Sequence, residues 1–160
     1  EQMIRKHKKY SKPRKAYDAA RIREENRLAG VYGLKKKREI WKAEAEVRKM
    51  RRLAKRLITK SEDEKTAFIK KLETEGFNVK SIADILALNM EDWLKRRLQS
   101  VVLTRGIART PNEARQLIVH KHIAVGKRVV NVPSFIVDKK SERDIEIVGL
   151  KQPGTEVKNG

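Results

Sequence analysis

Apolar residues recur at alternating steps of three and four along residues 35–59, and this spacing predicts the longest helix of the chain. The stripe consists of Ile40, Ala43, Val47, Met50, Ala54 and Leu57. Such a stripe packs against other helices. Before it, composition predicts a helix over residues 16–29, with Gly30 and Gly33 as the stop signal.

Shorter helices are expected further along the chain. Residues 61–76 indicate an acidic helix that begins at Ser61 and closes at Gly76, and residues 81–88 a short apolar one.

Two capping signals predict a further pair of helices. The first begins at Asn89, with Asp92 three residues later, and Gly106 ends it. Its buried face is predicted to hold Leu94, Leu98, Val101 and Val102. The second begins at residues 110–113, where threonine, proline and glutamate occupy the positions of a capping box with proline first in the helix.

Residues after the last helix read as short strands. Residues 122–130 predict a hairpin that turns at Gly126 and Lys127. Residues 135–137 and 145–148 predict two more strands, which a polar loop separates. The expected fold class is therefore α+β: a mainly helical N-terminal part, and a small domain of two helices packed on a short antiparallel sheet.

The same pattern predicts four segments. Residues 1–15 form a basic extended arm, residues 16–92 a helical body, residues 93–148 a C-terminal module, and residues 149–160 a flexible tail. We use the names helical body and C-terminal module for these two segments throughout.

The charge of the chain predicts a polyanionic binding partner. The chain has a formal net charge of +19 and a pI near 10.3. Residues 1–60 hold 22 lysines and arginines against 7 acidic residues, residues 61–92 hold 4 against 8, and residues 93–160 hold 14 against 6. Two basic segments joined by an acidic one predict two contacts with a polyanion, of which nucleic acid is the default.

The long helix carries much of this charge away from its apolar stripe. An ordinary charge run is a solvated face, but here only Glu44 and Glu46 interrupt it, so phosphate contact is favoured. The candidate residues of this helix are Arg38, Lys42, Arg48, Lys49, Arg52, Lys55 and Arg56.

A second cluster surrounds the capped helix start, where Arg105, Arg109, Thr110 and Arg115 lie close in sequence. Free N–H groups at a helix start and guanidinium donors both suit phosphate. A DNA-binding helix-turn-helix is the alternative. Structured RNA is favoured over DNA, because the following strands would have to avoid a duplex and no dimer seam is evident.

The sequence contains no motif that favours catalysis or cofactor binding. The chain has no cysteine and no glycine-rich phosphate loop. His120 and His122 lack a third ligand nearby, so no metal or other cofactor is expected. The carboxylate pair Glu24–Glu25 is expected to face solvent, and Trp41 and Trp93 to serve the core.

No apolar run approaches the length of a membrane span, and the first residues do not resemble a signal peptide. We therefore expect a soluble intracellular protein that has no membrane contact.

The motifs of the C-terminal module closely resemble the S-four domain, or alpha-L motif, of RNA-binding proteins. The resemblance rests on Arg97–Gln99, Arg105–Thr110, Glu113–Ile118, His120–Ile123 and Val130–Ser134. Upstream, Tyr32–Trp41 with its basic helix, and Met90–Gln99, resemble the archaeal and eukaryotic form of the small-subunit ribosomal protein S-four family.

That resemblance implies a structural, non-enzymatic protein that binds small-subunit ribosomal RNA at a junction in the 5′ domain early in assembly. It also implies proteins S-three and S-five as neighbours, contact with messenger RNA at its entrance, an influence on decoding accuracy, and a cytoplasmic location, with nucleolar assembly in a eukaryote. The family's RNA contacts map onto Arg97, Arg109, Thr110, Arg115, Gln116, His120, Lys121, Arg128, Asn131 and Ser134.

Two alternatives use the same domain for docking. An RNA-modifying enzyme, such as a pseudouridine synthase, would need a catalytic domain for which the helical remainder is too short. A factor that binds stalled ribosomal particles is disfavoured by the long basic helix.

Overall fold

A computed structural model describes residues 7–149, and the first six and last eleven residues lie outside the described part. Seven α-helices come first: α1 (Ala19–Tyr32), α2 (Lys37–Leu57), α3 (Glu62–Thr74), α4 (Ile82–Ala87), α5 (Met90–Lys95), α6 (Leu98–Thr104) and α7 (Pro111–Val119). Strands β1 (Ile123–Val125), β2 (Arg128–Val129) and β3 (Ile145–Ile147) follow, with a 3-10 turn at Ser141–Asp144. The predicted α+β class is confirmed.

Helix α1 begins where the Asp18 carboxylate accepts the N–H groups of Ala20 and Arg21. The predicted stop at Gly30 is wrong, because the helix continues through this glycine to Tyr32. It ends at Gly33, which takes a left-handed conformation with φ of 60°. That conformation is the usual one for a glycine after a helix.

Helix α2 is the predicted long helix, and its apolar stripe is buried from Ile40 to Ala54, whereas Leu57 at its end is half-buried. Val47, Met50 and Ala54 pack with α3, α4 and the segment between them. Ile40 and Ala43 instead meet α1 and Leu94 of α5. The helical body therefore has two apolar clusters along one helix. Trp93 touches both clusters and stacks on Phe77 at 5.7 Å between ring centroids, and Trp41 packs against the second cluster, so their predicted core role is confirmed.

Glu25 corrects another expectation, because it is buried and not exposed to solvent. Its carboxylate accepts hydrogen bonds from the Arg21 guanidinium at 2.6 Å and from the Trp41 indole at 2.9 Å. A buried carboxylate requires such partners.

The single helix predicted from Asn89 to Gly106 is wrong, because the chain forms two short helices with a break between them. Arg97 is extended there, with φ of −69° and ψ of 143°, and pairs with Ile136 as an isolated β-bridge. The break lets residues 135–137 run alongside the two helices: the Leu98 N–H donates to the Phe135 carbonyl at 2.7 Å. These three residues therefore form no strand of the sheet, which corrects their predicted assignment.

The predicted hairpin and final strand are confirmed. β1 pairs antiparallel with β2 on one side and β3 on the other, and the turn between β1 and β2 is Gly126–Lys127. Helices α6 and α7 pack on this sheet around one apolar cluster, whose fully buried members include Leu98, Val102, Ala114, Ile118, Ile123 and Val137.

Within residues 7–149, no helix is long and apolar enough to cross a membrane. The predicted tail falls almost wholly outside the described residues, as does the start of the predicted arm.

Candidate nucleic-acid interface

Five cations form a stripe along the outer side of α2, and we call it the α2 stripe. Its members are Arg38, Lys42, Lys49, Arg52 and Arg56, and all five are exposed. At about 100° of rotation per residue they fall within a sector of about 80°, on the side away from the buried residues. None of the five forms an ion pair with another residue in the range 7–149.

The other two predicted cations of this helix flank the stripe. Arg48 pairs with Glu44 at 2.6 Å one turn away, so part of its charge is compensated, whereas Lys55 is exposed. Arg38 also lies over the Tyr10 ring at 5.8 Å, and Tyr10 packs on Trp41 at 6.0 Å between ring centroids. The described end of the arm therefore contacts the helix that carries the stripe.

Two predicted RNA-contacting arginines are engaged inside the protein. Arg97 is only 4% exposed, and its guanidinium donates to Glu39 Oε2 at 2.6 Å. Arg115 donates to Glu39 Oε1 at 3.0 Å from the neighbouring helix. One carboxylate of the helical body thus receives two arginines of the C-terminal module, and we call this contact the Glu39 clamp.

The clamp extends to the turn that ends α1. Arg115 Nη1 also donates to the Gly33 carbonyl at 3.3 Å, and Gln99 Nε2 donates to the same carbonyl at 3.1 Å. Gln99, only 1% exposed, donates further to the Pro111 carbonyl at 2.8 Å. The start of α7 is therefore tied to the turn between α1 and α2.

Gly33 is required by this contact for two reasons. Its φ of 60° is strained for residues with a side chain, and a Cβ atom there would lie 2.7 Å from Pro111 Cβ and 2.8 Å from Gln99 Nε2. Any larger residue would push the helical body and the C-terminal module apart.

Opposing effects act on the Glu39 carboxyl. Burial raises its pKa, and the hydrogen bonds and charges of Arg115 and Arg97 lower it. The arginines prevail, so the pKa lies below its ordinary value of 4.5. The clamp is therefore an ionised contact at neutral pH.

Sequence reasoning missed Glu39, Gln99 and Gly33 as parts of one contact. A signal existed only for Gly33, which was singled out as a helix stop. Nothing in the local pattern distinguishes Glu39 from the exposed Glu44 one turn later, because its partners lie 58 and 76 residues away.

Arg105 likewise has a partner within the protein. Its guanidinium donates to the backbone carbonyls of Glu142 and Ile145, the latter at 3.2 Å, and so holds the 3-10 turn beside β3. It does not lie with the start of α7, where the sequence grouped it.

The start of α7 is capped by the Thr110 side chain, but the reciprocal capping box that the sequence predicts is not formed, because Glu113 reaches the N–H of Arg109 and not that of Thr110. The Thr110 hydroxyl accepts the Glu113 N–H at 3.2 Å, and the Glu113 carboxylate accepts the Arg109 N–H at 2.7 Å. The predicted cap at Thr110 is confirmed. Its consequence is that Thr110 already has a partner, whereas the Arg109 side chain is exposed.

The remaining predicted RNA-contacting residues of the C-terminal module are all exposed to solvent. They are Gln116, His120, Lys121, Arg128, Asn131 and Ser134. Lys121 has a φ of 65° at the turn from α7 to β1, and the rings of its sequence neighbours His120 and His122 stack on each other at 6.4 Å between centroids. Among residues 7–149, no group of three His, Cys, Asp or Glu side chains is arranged to hold a metal ion.

A cavity of about 440 Å³ lies where the two halves meet. Lys42 lines it from the helical body, and Ser134 lines it from the C-terminal module, with the Glu39 clamp beneath. The clamp therefore brings the edge of the α2 stripe next to a predicted contact residue that is about 90 positions away in sequence. Predicted contact residues of both halves therefore meet at one cavity.

Comparison with known families identifies the class of protein to which this chain belongs. Residues 96–142 match the family described as S4 domain, the S-four domain of the resemblance above. The fold and the match together define an S4-domain protein with an additional helical body.

Relatives that match most of the chain identify the family more specifically than the domain match does. The small ribosomal subunit protein uS4 of Korarchaeum cryptofilum is 45% identical over 149 residues, which cover 89% of this chain and 90% of that protein. The uS4 proteins of Methanosphaera stadtmanae and Methanothermobacter thermautotrophicus are 41% and 43% identical, covering 94% and 86% of this chain and 84% and 83% of their own lengths. The chain belongs to the uS4 family of small-subunit ribosomal proteins, in its archaeal form.

Proposed function

We propose that this chain is a structural constituent of the small ribosomal subunit and binds the ribosomal RNA of that subunit. The α2 stripe carries the proposal. Its five exposed cations have no ion pair among residues 7–149 and repel one another, and a polyphosphate backbone relieves that repulsion. Ribosomal proteins of this family are structural components and not enzymes, which answers the alternative of an RNA-modifying enzyme.

The proposed RNA contacts fall on the exposed members of the predicted set. In the helical body these are the α2 stripe and Lys55, with Arg48 beside Glu44. In the C-terminal module they are Arg109, Gln116, His120, Lys121, Arg128, Asn131 and Ser134, with Thr110 through its backbone. For Arg97, Arg105 and Arg115 we propose a supporting role instead, because the contacts of their guanidinium groups lie within the protein.

We also propose a finer assignment, which family membership supports. We place the bound RNA at the junction in the 5′ domain, and binding early in assembly. Neighbouring proteins S-three and S-five, messenger RNA at its entrance, and an influence on decoding accuracy belong to the same proposal. The site of action is then the small subunit in the cytoplasm.

Binding to a transcript of the 5′ domain of an archaeal small-subunit RNA tests the proposal. Affinity should fall steeply with salt, since each neutralised phosphate adds about 0.7 to 0.9 to the logarithmic slope. An unrelated structured transcript of equal length is the control. Equal affinity for both transcripts would contradict a specific ribosomal role, and a flat salt response would contradict polyanion binding.

Co-sedimentation in growing cells separates this proposal from a stalled-particle factor. A structural constituent should be present at one copy on all small subunits. A factor for stalled particles should instead appear on a minor fraction of them, and more after translation is blocked.

A further inference from the structure

A second basic feature lies at the seam between α3 and the loop before β3, apart from the predicted contact residues. It is a cleft of about 960 Å³, and we call it the seam cleft. Its cations are Lys70 from α3, Lys139, Lys140 and Arg143 from the loop, and the already engaged Arg105. Apart from Arg105, none of them belongs to the predicted RNA-binding set.

The charges of the seam cleft are poorly compensated. Within residues 7–149, none of Lys70, Lys139, Lys140 and Arg143 forms an ion pair. Of the two acidic residues that line the cleft, Glu142 is paired with Arg96 at 3.0 Å, so Glu73 alone opposes four exposed cations. Such a concave cationic surface concentrates field and attracts anions.

Both walls of the cleft are held in place by the protein. The Lys139 N–H donates to the Thr74 carbonyl at the end of α3, at 3.0 Å. Arg96 lies against Gly76, where a Cβ atom would clash with its guanidinium, and binds Glu142 on the opposite wall at 3.0 Å. Arg105 holds the turn that carries Arg143. Because these contacts fix the backbone of both walls, the cleft needs little backbone reorganisation to bind a ligand, and ordering of the exposed side chains is the remaining cost.

We infer that the seam cleft is a second binding site for ribosomal RNA, which it holds by the phosphates of one backbone strand. The cleft is at the upper end of the range of about 300 to 1,000 Å³ for ligand pockets, and it is open along a seam, which suits a strand more than a small anion. Cations on two facing walls suit successive phosphates. This inference rests on the proposed function, and it adds a contact formed by α3, the acidic helix, to those of α2 and the C-terminal module.

The test removes one cation from each wall. In the Lys70→Gln/Lys140→Gln variant, the logarithmic salt slope for the 5′-domain transcript should fall by about 1.4 to 1.8 units, corresponding to two lost phosphate contacts. The control Arg23→Gln/Lys80→Gln removes the same charge from exposed residues that line neither the cleft nor the α2 stripe. It should keep the parent slope.

A third variant predicts the opposite direction. Glu73→Gln removes the unpaired acid of the cleft and should tighten RNA binding about two- to threefold at low salt, an effect of the size expected for a partly exposed charge. Glu64→Gln, at the far end of the same helix, should leave affinity unchanged. Loss of fold would not tighten binding, so this variant distinguishes electrostatic from structural effects.

Three results overturn the inference. The Lys70→Gln/Lys140→Gln variant could keep the parent salt slope, or the Glu73→Gln variant could keep the parent affinity. The Arg23→Gln/Lys80→Gln control could also lose as much of the salt slope as the cleft variant does. If the double variant binds the transcript normally but leaves the assembled subunit more readily, the cleft serves an acidic protein neighbour and not RNA. If the parent itself binds without salt dependence, the proposed function fails as a whole.

Discussion

The α2 stripe and the Glu39 clamp both contain arginine side chains, but these side chains have different roles in the two regions. The cations of the α2 stripe are exposed and have no ion pair within the described part of the chain, whereas in the clamp Arg97 and Arg115 share one carboxylate and are largely buried. The difference lies in Glu39. Where a carboxylate of one half faces arginines of the other, the charge is used for holding the protein together, and where none does, it remains available for a polyanion.

This comparison also separates stability from binding. Residues of the clamp should alter folding strongly and RNA contact only indirectly. Residues of the stripe should do the reverse.

The largest expected effect is the loss of the clamp carboxylate. Glu39→Ala removes the carboxylate shared by Arg97 and Arg115 and leaves Arg115 with the neutral oxygens of Gly33 and Gln99 as partners. It should therefore lower the free energy of unfolding by about 3 kcal/mol, the size typical of a broken buried ion pair. The control Glu44→Ala breaks an exposed pair with Arg48 and should cost at most about 1 kcal/mol. Urea denaturation measures both, and equal losses would remove the distinction between clamp and stripe.

Gly33→Ala should have the next largest effect. The left-handed conformation costs a residue with a Cβ atom about 1 to 2 kcal/mol, and the close approach to Pro111 adds to that cost. Gly30→Ala is a matched control in the same helix, where a Cβ atom meets nothing within 4 Å. It should stabilise the protein by about 0.5 to 1 kcal/mol. If Gly33→Ala and Gly30→Ala shifted the melting temperature in the same direction, the role assigned to Gly33 would be contradicted.

Acid should weaken the clamp in a defined direction. The folded-state pKa of Glu39 lies below its unfolded value near 4.5, so its contribution is present above that pH and is lost as pH falls through the lower, folded value. Unfolding free energy measured from pH 7 to pH 3 should therefore fall less in Glu39→Gln than in the parent. Parallel pH profiles would show that Glu39 is not linked to stability.

The smallest effect on stability is expected in the α2 stripe. Lys49→Gln/Arg52→Gln should change the unfolding free energy by no more than about 0.5 kcal/mol, because both side chains are exposed and neither has an ion-pair partner in the range 7–149. The same variant should lower the salt slope of RNA binding by about 1.4 to 1.8 units. A large loss of stability with unchanged RNA affinity would reverse the roles given to the two regions.

The sequence by itself determined features whose cause is local. The step pattern from Ile40 to Leu57 predicted α2 because a helix repeats every 3.6 residues, and the buried stripe confirms it. The Thr110 cap of α7 and the turn at Gly126 were predictable for the same reason, since each depends on neighbours within a few positions. The excess of cations likewise needed only counting.

Tertiary structure decided which cations are available. Whether an arginine is free depends on acids distant in sequence, and neither Glu39 nor its two partners carries a local sign of the contact. The break before α6 has the same origin, because Arg97 becomes extended only where Ile136 lies beside it. Pairings across tens of residues arise from packing of the whole chain, and periodicity within one segment contains no information about them.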